Sequence, residues 1–484
     1  METMNYKMLI GGKFVEAKSG KRFDVINPAT EQIVGSAPAG DKEDAHEAIV
    51  NAEKAFHSWK KVPAGKRARL ILDLADALAR EKERFARLLC IEHGKPHWQA
   101  LEEIDGTLGY LRTAAEGAKR MEGDILPSDF PGEQIWIQKV PYGVTVGLVA
   151  WNFPVALAGR KIGPALVAGN TMVVKPPTDV PLAVIEFGKL ALEVGIPPGV
   201  FNVVTGGGRS MGDALVRHPL TRLVTHTGST AAGQEIIRSS ADNVTDLLLE
   251  LGGNAPFIVF EDADIEKAAE AAIHARFYNC GQVCTCNERM YLHEKIYDKF
   301  MAAFLPKVKA ITLGDQFSGA YMGPKINKPE LDHVMELLED AVSGGAKVET
   351  GGGKPSGEQF KKGYWIEPTV LTGVTQKMRI VQEEIFGPVV PVLPFKSFEE
   401  VIQLANDCEY GLSAYIYTKD LQRVMRTVED LEFGEIYVNR GIGELPQGYH
   451  TGMKKSGIAG EDGKYGLENY LHKKTYYVRY SDSE

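Results

Sequence analysis

The chain has 484 residues, of which 44% are hydrophobic and 25% charged, a globular composition in a chain too long for one ordinary core. Its net charge of −9 argues against nucleic acid as a partner. No run of about eighteen apolar residues predicts a membrane span, and the first residues contain no apolar signal core. Five cysteines, an odd number, fit a reducing cytoplasm better than a disulfide framework.

The first part of the chain is predicted to form short strands and then helices. Asp41 is a candidate N-cap, and residues 66–90 and 92–121 have apolar residues at helical spacing. Residues 134–140 alternate like a strand. Either an ordinary hairpin or an extended arm, reaching another part of the molecule or another subunit, would explain that strand.

From Gly143 onward, strands and helices alternate regularly. Continuous apolar strands predict a parallel, doubly wound sheet; they occur at 144–150, 171–174, 200–205, 222–225 and 245–250. A second α/β rhythm starts at Asn254, and no flexible linker precedes it, so we expect two closely docked domains. Residues 475–480 alternate again and could pair with residues 134–140.

Several polar residues follow predicted strands, where open α/β sheets bind ligands. Lys175 ends one strand, Asn152 follows another, and the glycine-rich loop 206–212 follows a third. Taken singly, each has an ordinary explanation: a solvated lysine, an asparagine before a turn proline, or a structural turn. The loop also lacks the GxGxxG spacing of the usual dinucleotide fingerprint.

Two glutamates are candidates for acid–base chemistry. Glu250 lies between leucines and a pair of glycines, and burial there would raise its pKa and suit it to act as a general base. A carboxylate satisfied by backbone N–H groups is an equally good explanation. Glu384 precedes Phe386 in a segment that is also compatible with a surface turn.

Three of the five cysteines fall at positions 280, 284 and 286. They lack the second pair or the histidines of a zinc site, so no metal is expected. Three inert, buried cysteines remain an alternative. Because Gly281 and Gln282 allow a loop that exposes Cys284, a nucleophile is the better hypothesis once Glu250 and Asn152 are considered with it.

In combination these motifs resemble the NAD(P)-dependent aldehyde dehydrogenase superfamily over essentially the whole chain. The motifs are Trp151-Asn152-Phe153-Pro154, Lys175-Pro176, Gly206 to Gly212, Thr227-Gly228-Ser229, Glu250-Leu251-Gly252-Gly253, Gly281-Gln282-Val283-Cys284 and Glu384-Ile385-Phe386-Gly387-Pro388. The resemblance implies an α/β fold with a doubly wound cofactor domain (1–123 and 141–252) and a second α/β catalytic domain (253–452). It also implies a β oligomerisation arm (124–140 and 466–484) and a homodimer or homotetramer.

The resemblance also implies residue roles. The Cys284 thiolate attacks the aldehyde carbon, and Asn152 with the Cys284 backbone N–H stabilises the oxyanion. Hydride passes to the nicotinamide, and Glu250 activates the water that releases a carboxylic acid. Members that transfer the acyl group to CoA usually lack that glutamate. The residues expected to bind the cofactor are Trp151, Lys175, Thr178, Gly208, Gly212, Gly228, Ser229, Glu384 and Phe386.

Thr178 departs from many NAD-linked members, which have a glutamate at this position. A neutral residue exerts no repulsion on a 2′-phosphate, and the stretch from Lys175 to Thr178 resembles that of NADP-dependent non-phosphorylating glyceraldehyde-3-phosphate dehydrogenases. The enzyme is therefore expected to accept NADP, and either NADP or NAD could be the preferred cofactor. Asp179, the next residue, is the reason that NAD is kept as an alternative.

The substrate expected from the resemblance is a small polar aldehyde, as in the lactaldehyde and glycolaldehyde dehydrogenase branch. The residues that carry this expectation are Arg160, Thr285, Glu444 and His450. Rim salt bridges, or a pocket for an anionic aldehyde such as 3-sulfolactaldehyde or a semialdehyde acid, remain alternatives. A non-catalytic binding protein with this fold is disfavoured by the intact Cys284, Glu250 and Asn152. Cys280 is expected to pack, and the role of Cys286 stays open.

Overall fold

The computed structural model describes residues 4–481; residues 1–3 and 482–484 of the predicted first domain and arm lie outside the described residues. Two large sheets form the molecule, and each carries its own hydrophobic core. A further core covers the second face of the first sheet. Helices therefore flank the sheets, which confirms the expected α/β fold.

In the described chain, the first sheet has eight strands. Their order across the sheet is Gly457–Ile458, Asp246–Glu250, Thr221–Thr227, Val144–Leu148, Thr171–Lys175, Phe201–Val203, Met8–Ile10 and Lys13–Val15. The five central strands are parallel. Strand order reverses between Val144–Leu148 and Thr221–Thr227, and ligands bind at the carboxyl edge of a sheet beside such a reversal.

The second sheet has seven strands within residues 4–481 and is parallel except for its first edge strand. Its order is Lys347–Thr350, Thr369–Thr372, Val389–Phe395, Asn287–His293, Ala255–Val259, Ser413–Tyr417 and Glu435–Val438. The chain passes from Asp246–Glu250 into Ala255–Val259 through only four residues, so the carboxyl edge of the first sheet faces the amino edge of the second.

The helices are Lys42–Trp59, Ala64–Arg80, Lys82–His93, His97–Glu116, Pro154–Ala168, Leu182–Glu193, Asp213–Val216, Thr230–Ser240, Ile265–Phe277, Tyr297–Lys309, Lys328–Ser343, Arg379–Gln382, Phe398–Asn406, Leu421–Asp430 and Gly463–Glu468. Asp41 is the N-cap of the first of them, as predicted. None of the helices in the described residues is long and apolar enough to cross a membrane. Small sheets complete the fold; they are formed by Met4–Asn5 with Ile33–Pro38 and Arg22–Ile26, Tyr410–Gly411 with Met453–Lys454, and His450–Thr451 with Gly460–Glu461.

The predicted helical region 92–121 was wrong at its start. The preceding helix ends at Gly94, which adopts a left-handed conformation with φ 82°, and Pro96 then precedes the next helix. A Cβ atom on Gly94 would approach Pro28 to 2.7 Å, so glycine is needed here. The glycine loop 206–212, expected to be a turn, contains one turn of π-helix from Gly208 to Gly212.

The arm is a separate antiparallel sheet. Leu471–Arg479 pairs with Glu133–Pro141, and Tyr476 lies opposite Trp136, which confirms the predicted pairing of these two segments. Asp124–Pro127 forms the other edge of the sheet. Leu467 and Tyr470, which precede the strand, pack instead into the core beside the first sheet.

Candidate functional site

The predicted nucleophile Cys284 lies where the two sheets meet. It comes just before the strand Asn287–His293, and Glu250 ends the strand that faces it. A Cβ atom on Gly253 would overlap the carbonyl oxygen of Cys284, so the two backbones can approach this closely only with glycine at position 253. The motifs at 250–253 and 281–284 are therefore joined by direct backbone contact.

A run of left-handed residues shapes the loop before Cys284. Asn279, Cys280 and Gly281 have φ angles of 49°, 59° and 70°. The Gln282 side chain closes the turn, because its Nε2 donates to the Asn279 carbonyl at 3.0 Å and its Oε1 accepts from the Ile326 N–H at 3.0 Å. Consecutive left-handed residues are costly, and here buried hydrogen bonds hold them.

Two cavities meet at the Cys284 thiol. A cavity of about 230 Å³ opens on one side and one of about 270 Å³ on the other. Both are lined by Asn152, Thr227 and Cys284. The thiol is therefore within reach of two different molecules that approach from opposite sides.

Asn152 is buried beside the thiol, with only 5% of its surface exposed. Its Nδ2 donates to the Gln282 carbonyl at 3.1 Å, and an amide nitrogen carries a second hydrogen for another acceptor. Its Oδ1 has no hydrogen-bond partner among the described residues. The amide is thus held by the turn that carries Cys284 and keeps one N–H for a ligand.

Glu250 is buried without hydrogen bonds from the described residues, and burial raises its pKa to about 8. Its nearest cation is His450, whose Nε2 lies 3.4 Å from Glu250 Oε2 and whose Nδ1 lies 3.0 Å from Glu435 Oε2. Among the described residues, no backbone N–H group donates to the Glu250 carboxylate, so the alternative explanation from the sequence does not hold. A carboxyl group of this pKa can gain and lose a proton near neutral pH.

His450 connects the carboxylates to the thiol. Burial disfavours its charged form, but the carboxylates of Glu435 and Glu250 outweigh that cost and raise the pKa of His450 well above its usual value. Burial raises the pKa of the Cys284 thiol, and a hydrogen bond with His450 acts in the opposite direction. A charged imidazole therefore favours the thiolate.

Arg160 lies in the wall of the 270 Å³ cavity, but carboxylates already surround it. It pairs closely with Asp462, and its guanidinium lies 3.4 Å from Glu444 and 3.5 Å from Glu461. Its charge also sits 5.0 Å from the centre of the Tyr110 ring. The structure brings together three of the four predicted substrate residues: Arg160, Glu444 and His450.

Thr285 is the predicted substrate residue that lies apart from them. It is 1% exposed and is not among the residues that line either cavity beside Cys284. Its backbone carbonyl accepts from the Tyr415 hydroxyl at 2.7 Å. Cys284 and Thr285 lie in a turn that the Cys286 N–H closes by donating to the Val283 carbonyl at 3.0 Å, and this turn places Thr285 inward while Cys284 faces the cavities.

The predicted cofactor residues divide between two cavities. Trp151, Gly228, Ser229, Glu384 and Phe386 line the 230 Å³ cavity with Cys284. Lys175, Gly208 and Gly212 line a larger cavity of about 890 Å³ farther along the carboxyl edge of the first sheet. Thr178 lies outside both linings, and its hydroxyl donates to the Gly206 carbonyl at 3.4 Å.

These residues fit a dinucleotide. Ser229 caps the helix Thr230–Ser240, and a helix N-terminus that opens on a cavity suits a pyrophosphate. Lys175 Nζ donates to the Pro176 carbonyl at 3.1 Å and retains hydrogens for a ligand, and burial lowers its pKa to about 8. Burial also raises the pKa of Glu384 to about 8, and its Oε1 accepts from the Gly253 N–H at 2.8 Å.

The sequence model of the aldehyde dehydrogenase family matches residues 14–476 of this chain. The chain belongs to the aldehyde dehydrogenase family. It is 53% identical to the 3,6-anhydro-alpha-L-galactose dehydrogenase of Vibrio sp. (strain EJY3) over 476 residues, which cover 98% of this chain and 99% of that one. It is 42% identical to the lactaldehyde dehydrogenase of Escherichia coli (strain K12) over 478 residues, with 98% and 99% covered.

A solved structure of a relative has the same fold as this aldehyde dehydrogenase. The 3,6-anhydro-L-galactose dehydrogenase in complex with NADP superposes with a TM-score of 0.97 at 52% identity and covers 98% of this chain and all of that one. The expected family, fold and NAD(P)-dependent oxidoreductase activity are confirmed. The resemblance to lactaldehyde dehydrogenase is confirmed as well. The identity to the 3,6-anhydro-alpha-L-galactose dehydrogenase is higher, at 53% against 42%.

The residues of the 270 Å³ cavity that were missed from the sequence include Glu102, Tyr110, His274 and Tyr278. A signal existed for two of them. Glu102, Gly106 and Tyr110 recur every four residues in the helix His97–Glu116 and so share one face of that helix. His274 and Tyr278 are also four residues apart, just before the Cys284 loop.

Gly281→Ala is expected to destabilise this loop. A Cβ atom would overlap the Gly387 carbonyl oxygen, and φ of 70° disfavours any other residue. We expect a loss of about 2 kcal/mol in stability, seen as a lower unfolding temperature, together with a slower oxidation of aldehydes. Gly65→Ala is the matched control, because a Cβ atom there meets nothing within 4 Å. Equal unfolding temperatures for the two variants would contradict this account of the loop.

Proposed function

We propose that this aldehyde dehydrogenase oxidises a neutral, hydroxylated aldehyde to its carboxylic acid with NADP, using Cys284 as the nucleophile. The observation that carries the proposal is the position of the Cys284 thiol between two cavities. One holds the residues suited to a dinucleotide, and the other holds polar and aromatic side chains around Glu250.

The chain supplies each group that the reaction needs. Cys284 Sγ bonds to the aldehyde carbon, and the free N–H of the Asn152 amide and the backbone N–H of Cys284 stabilise the oxygen that gains negative charge. When bound, a nicotinamide ring accepts the hydride that the carbon gives up. Glu250 then takes a proton from a water molecule that attacks the thioester carbon, and the sulfur of Cys284 leaves with the electron pair.

The pH dependence should report on Glu250. The base must be a carboxylate, and its pKa of about 8 means that most molecules hold the proton at neutral pH. We therefore expect the steady-state rate to rise by up to about tenfold per pH unit toward pH 8 and to level off above it. Glu250→Gln should lose this rise and stop after one burst of NADPH formation, measured in stopped flow.

Cys284→Ala is the companion variant and should abolish both the burst and the steady state. Sustained turnover by Glu250→Gln at the wild-type rate would contradict the role of Glu250. A product that forms only when CoA or phosphate is added would identify an acyl-transfer enzyme instead.

The substrate cavity favours neutral, hydroxyl-bearing aldehydes. Glu102, Tyr110, Tyr278 and Glu444 give its lining several hydrogen-bonding groups beside the thiol. Arg160 in the wall is already surrounded by three carboxylates, and the charged His450 lies between Glu250 and Glu435. An anionic substrate would therefore meet net negative charge. A volume of about 270 Å³ is near the lower limit of ligand pockets and suits a small sugar. The 53% identity to an enzyme named for 3,6-anhydro-galactose supports the same class.

A panel of aldehydes tests this class. We expect kcat/KM to be highest for 3,6-anhydro-L-galactose, then for lactaldehyde and glycolaldehyde. Succinic semialdehyde and 3-sulfolactaldehyde should be at least about tenfold poorer, because each brings a negative charge toward Glu102 and Glu444. Betaine aldehyde is the cationic control. A preference for either anionic aldehyde would overturn the proposed substrate class while leaving the chemistry at Cys284 intact.

NADP is the cofactor that the 890 Å³ cavity favours. Arg209 lines this cavity with Lys175 and makes no ion pair within the described part of the chain. It was not singled out from the sequence, where it reads as one residue of a glycine-rich turn. A free guanidinium and a buried lysine suit a phosphate, and Thr178, which contacts the Gly206 carbonyl outside the lining, carries no opposing charge.

Arg209→Ala is expected to raise the dissociation constant for NADP by about tenfold and to change that for NAD by less than about twofold, because only NADP has the extra phosphate. Dissociation constants can be measured by quenching of tryptophan fluorescence. Arg217→Ala is the control, since Arg217 pairs with Asp213 at 2.9 Å and is not part of the cavity lining. Equal weakening of NAD and NADP would refute the role of Arg209.

A further inference from the structure

A lysine–glutamate pair is completely buried behind the active site. Lys95 Nζ lies 2.6 Å from Glu103 Oε2, and neither side chain has any exposed surface. Lys95 comes just before the helix His97–Glu116, and Glu103 lies within it. Two charges withdrawn from water in this way need further polar partners to hold them.

The lysine finds its partner in the backbone of Asn152. Lys95 Nζ donates to the Asn152 carbonyl oxygen at 2.7 Å, and the Asn279 side chain donates to the same oxygen at 3.2 Å. The ammonium also lies 4.2 Å from the centre of the Phe153 ring. The peptide group that joins Asn152 to Phe153 is therefore fixed from more than one side.

The glutamate finds its partners in the helix that follows. Glu103 Oε1 accepts from the backbone N–H groups of Val155 at 2.9 Å and Ala156 at 3.3 Å. The helix Pro154–Ala168 has no side-chain cap of its own at Phe153. A buried carboxylate from another helix therefore satisfies its first N–H groups and complements its dipole.

We propose that Lys95 and Glu103 form a positioning pair that sets the orientation of the Asn152 amide for the oxyanion. One member holds the carbonyl before Phe153, and the other holds the N–H groups after Pro154, so the backbone that follows the Asn152 side chain is fixed at two points. The Asn152 side chain then lies where its Nδ2 reaches the Gln282 carbonyl in the Cys284 turn. The inference rests on the proposed role of Asn152, and small displacements of such a group cost much of its effect.

The molecule contains a matched comparison for a purely structural role. Glu92 is also buried, and its carboxylate accepts from the N–H groups of Leu182 at 2.7 Å and Ala183 at 2.8 Å, at the start of the helix Leu182–Glu193. It lines neither cavity beside Cys284. Loss of one of these two acceptor oxygens should affect folding stability without reaching the reaction.

The test is a double-mutant cycle with Asn152. Lys95→Met removes the ammonium at nearly constant length and is expected to lower the NADPH burst rate with saturating aldehyde by about tenfold to a hundredfold. Asn152→Ala should lower it by about a hundredfold to a thousandfold. In the Asn152→Ala background, Lys95→Met should then have almost no further effect on the rate. Glu103→Gln repeats the cycle while preserving the acceptor for Val155 and Ala156.

Controls separate positioning from general damage. The dissociation constant for NADP should stay within about twofold in Lys95→Met and Glu103→Gln, and Glu92→Gln should lower the unfolding temperature without changing the burst rate. Should Lys95→Met fail to fold, Glu103→Gln and Lys95→Arg carry the same test. Additive losses in the cycle would overturn the inference. No effect of Asn152→Ala alone would instead overturn the role of Asn152 on which the inference rests.

Discussion

Exclusion of water from the line where the two sheets meet controls the chemistry of this protein. Ionisable groups there fall into two classes. For the first class the cost of burial dominates: it raises the pKa of Glu250 and of Glu384 to about 8 and lowers that of Lys175 to about 8. Groups of the second class pair with an opposite charge and fix geometry, as Lys95 does with Glu103 at 2.6 Å.

Close approach of backbone to backbone produces this dry junction. Gly253 lies against the Cys284 carbonyl, Gly281 against the Gly387 carbonyl, and Gly252 against the Glu384 carboxylate. A side chain at any of these positions would push the two contacting segments apart. Separation would admit water, and the pKa values of Glu250 and Glu384 would move back toward those of exposed carboxyl groups. The glycines of the sequence motifs thus help to keep the pKa values of Glu250 and Glu384 raised, because they allow the close packing that excludes water.

The sequence predicts the fold and the residues that gather at the thiol because both depend on local patterns. Alternating apolar strands and helices indicate the doubly wound sheet, and Asn152, Glu250 and Cys284 each lie at the end or start of a strand. Partners that come from distant segments are not visible in this way. Lys95 falls in the predicted helical region 92–121, whose spacing does not reveal its contact with residue 152. Arg160 likewise pairs with Asp462 across 302 positions.

Side-chain direction is also decided by three-dimensional packing. Thr285 follows Cys284 directly and turns into the core, whereas Tyr278, six positions before the thiol, lines the cavity. The predicted helix across Gly94 failed for a related reason. The close contact of that glycine with Pro28 is a tertiary constraint that helical spacing does not reveal.

The charge balance beside Glu250 depends on residues close to the C-terminal end of the sequence, which are synthesised last. Arg160 and Lys161 lie in one buried helix, and their carboxylate partners Glu461 and Asp462 come about 300 positions later. Lys139 likewise meets Glu468 across 329 positions, and Gly457–Ile458 is the edge strand beside Glu250. A nascent chain that stops before these residues has two uncompensated cations in its first domain. The full set of charges around Glu250 is therefore complete only once residues 461 and 462 have been made.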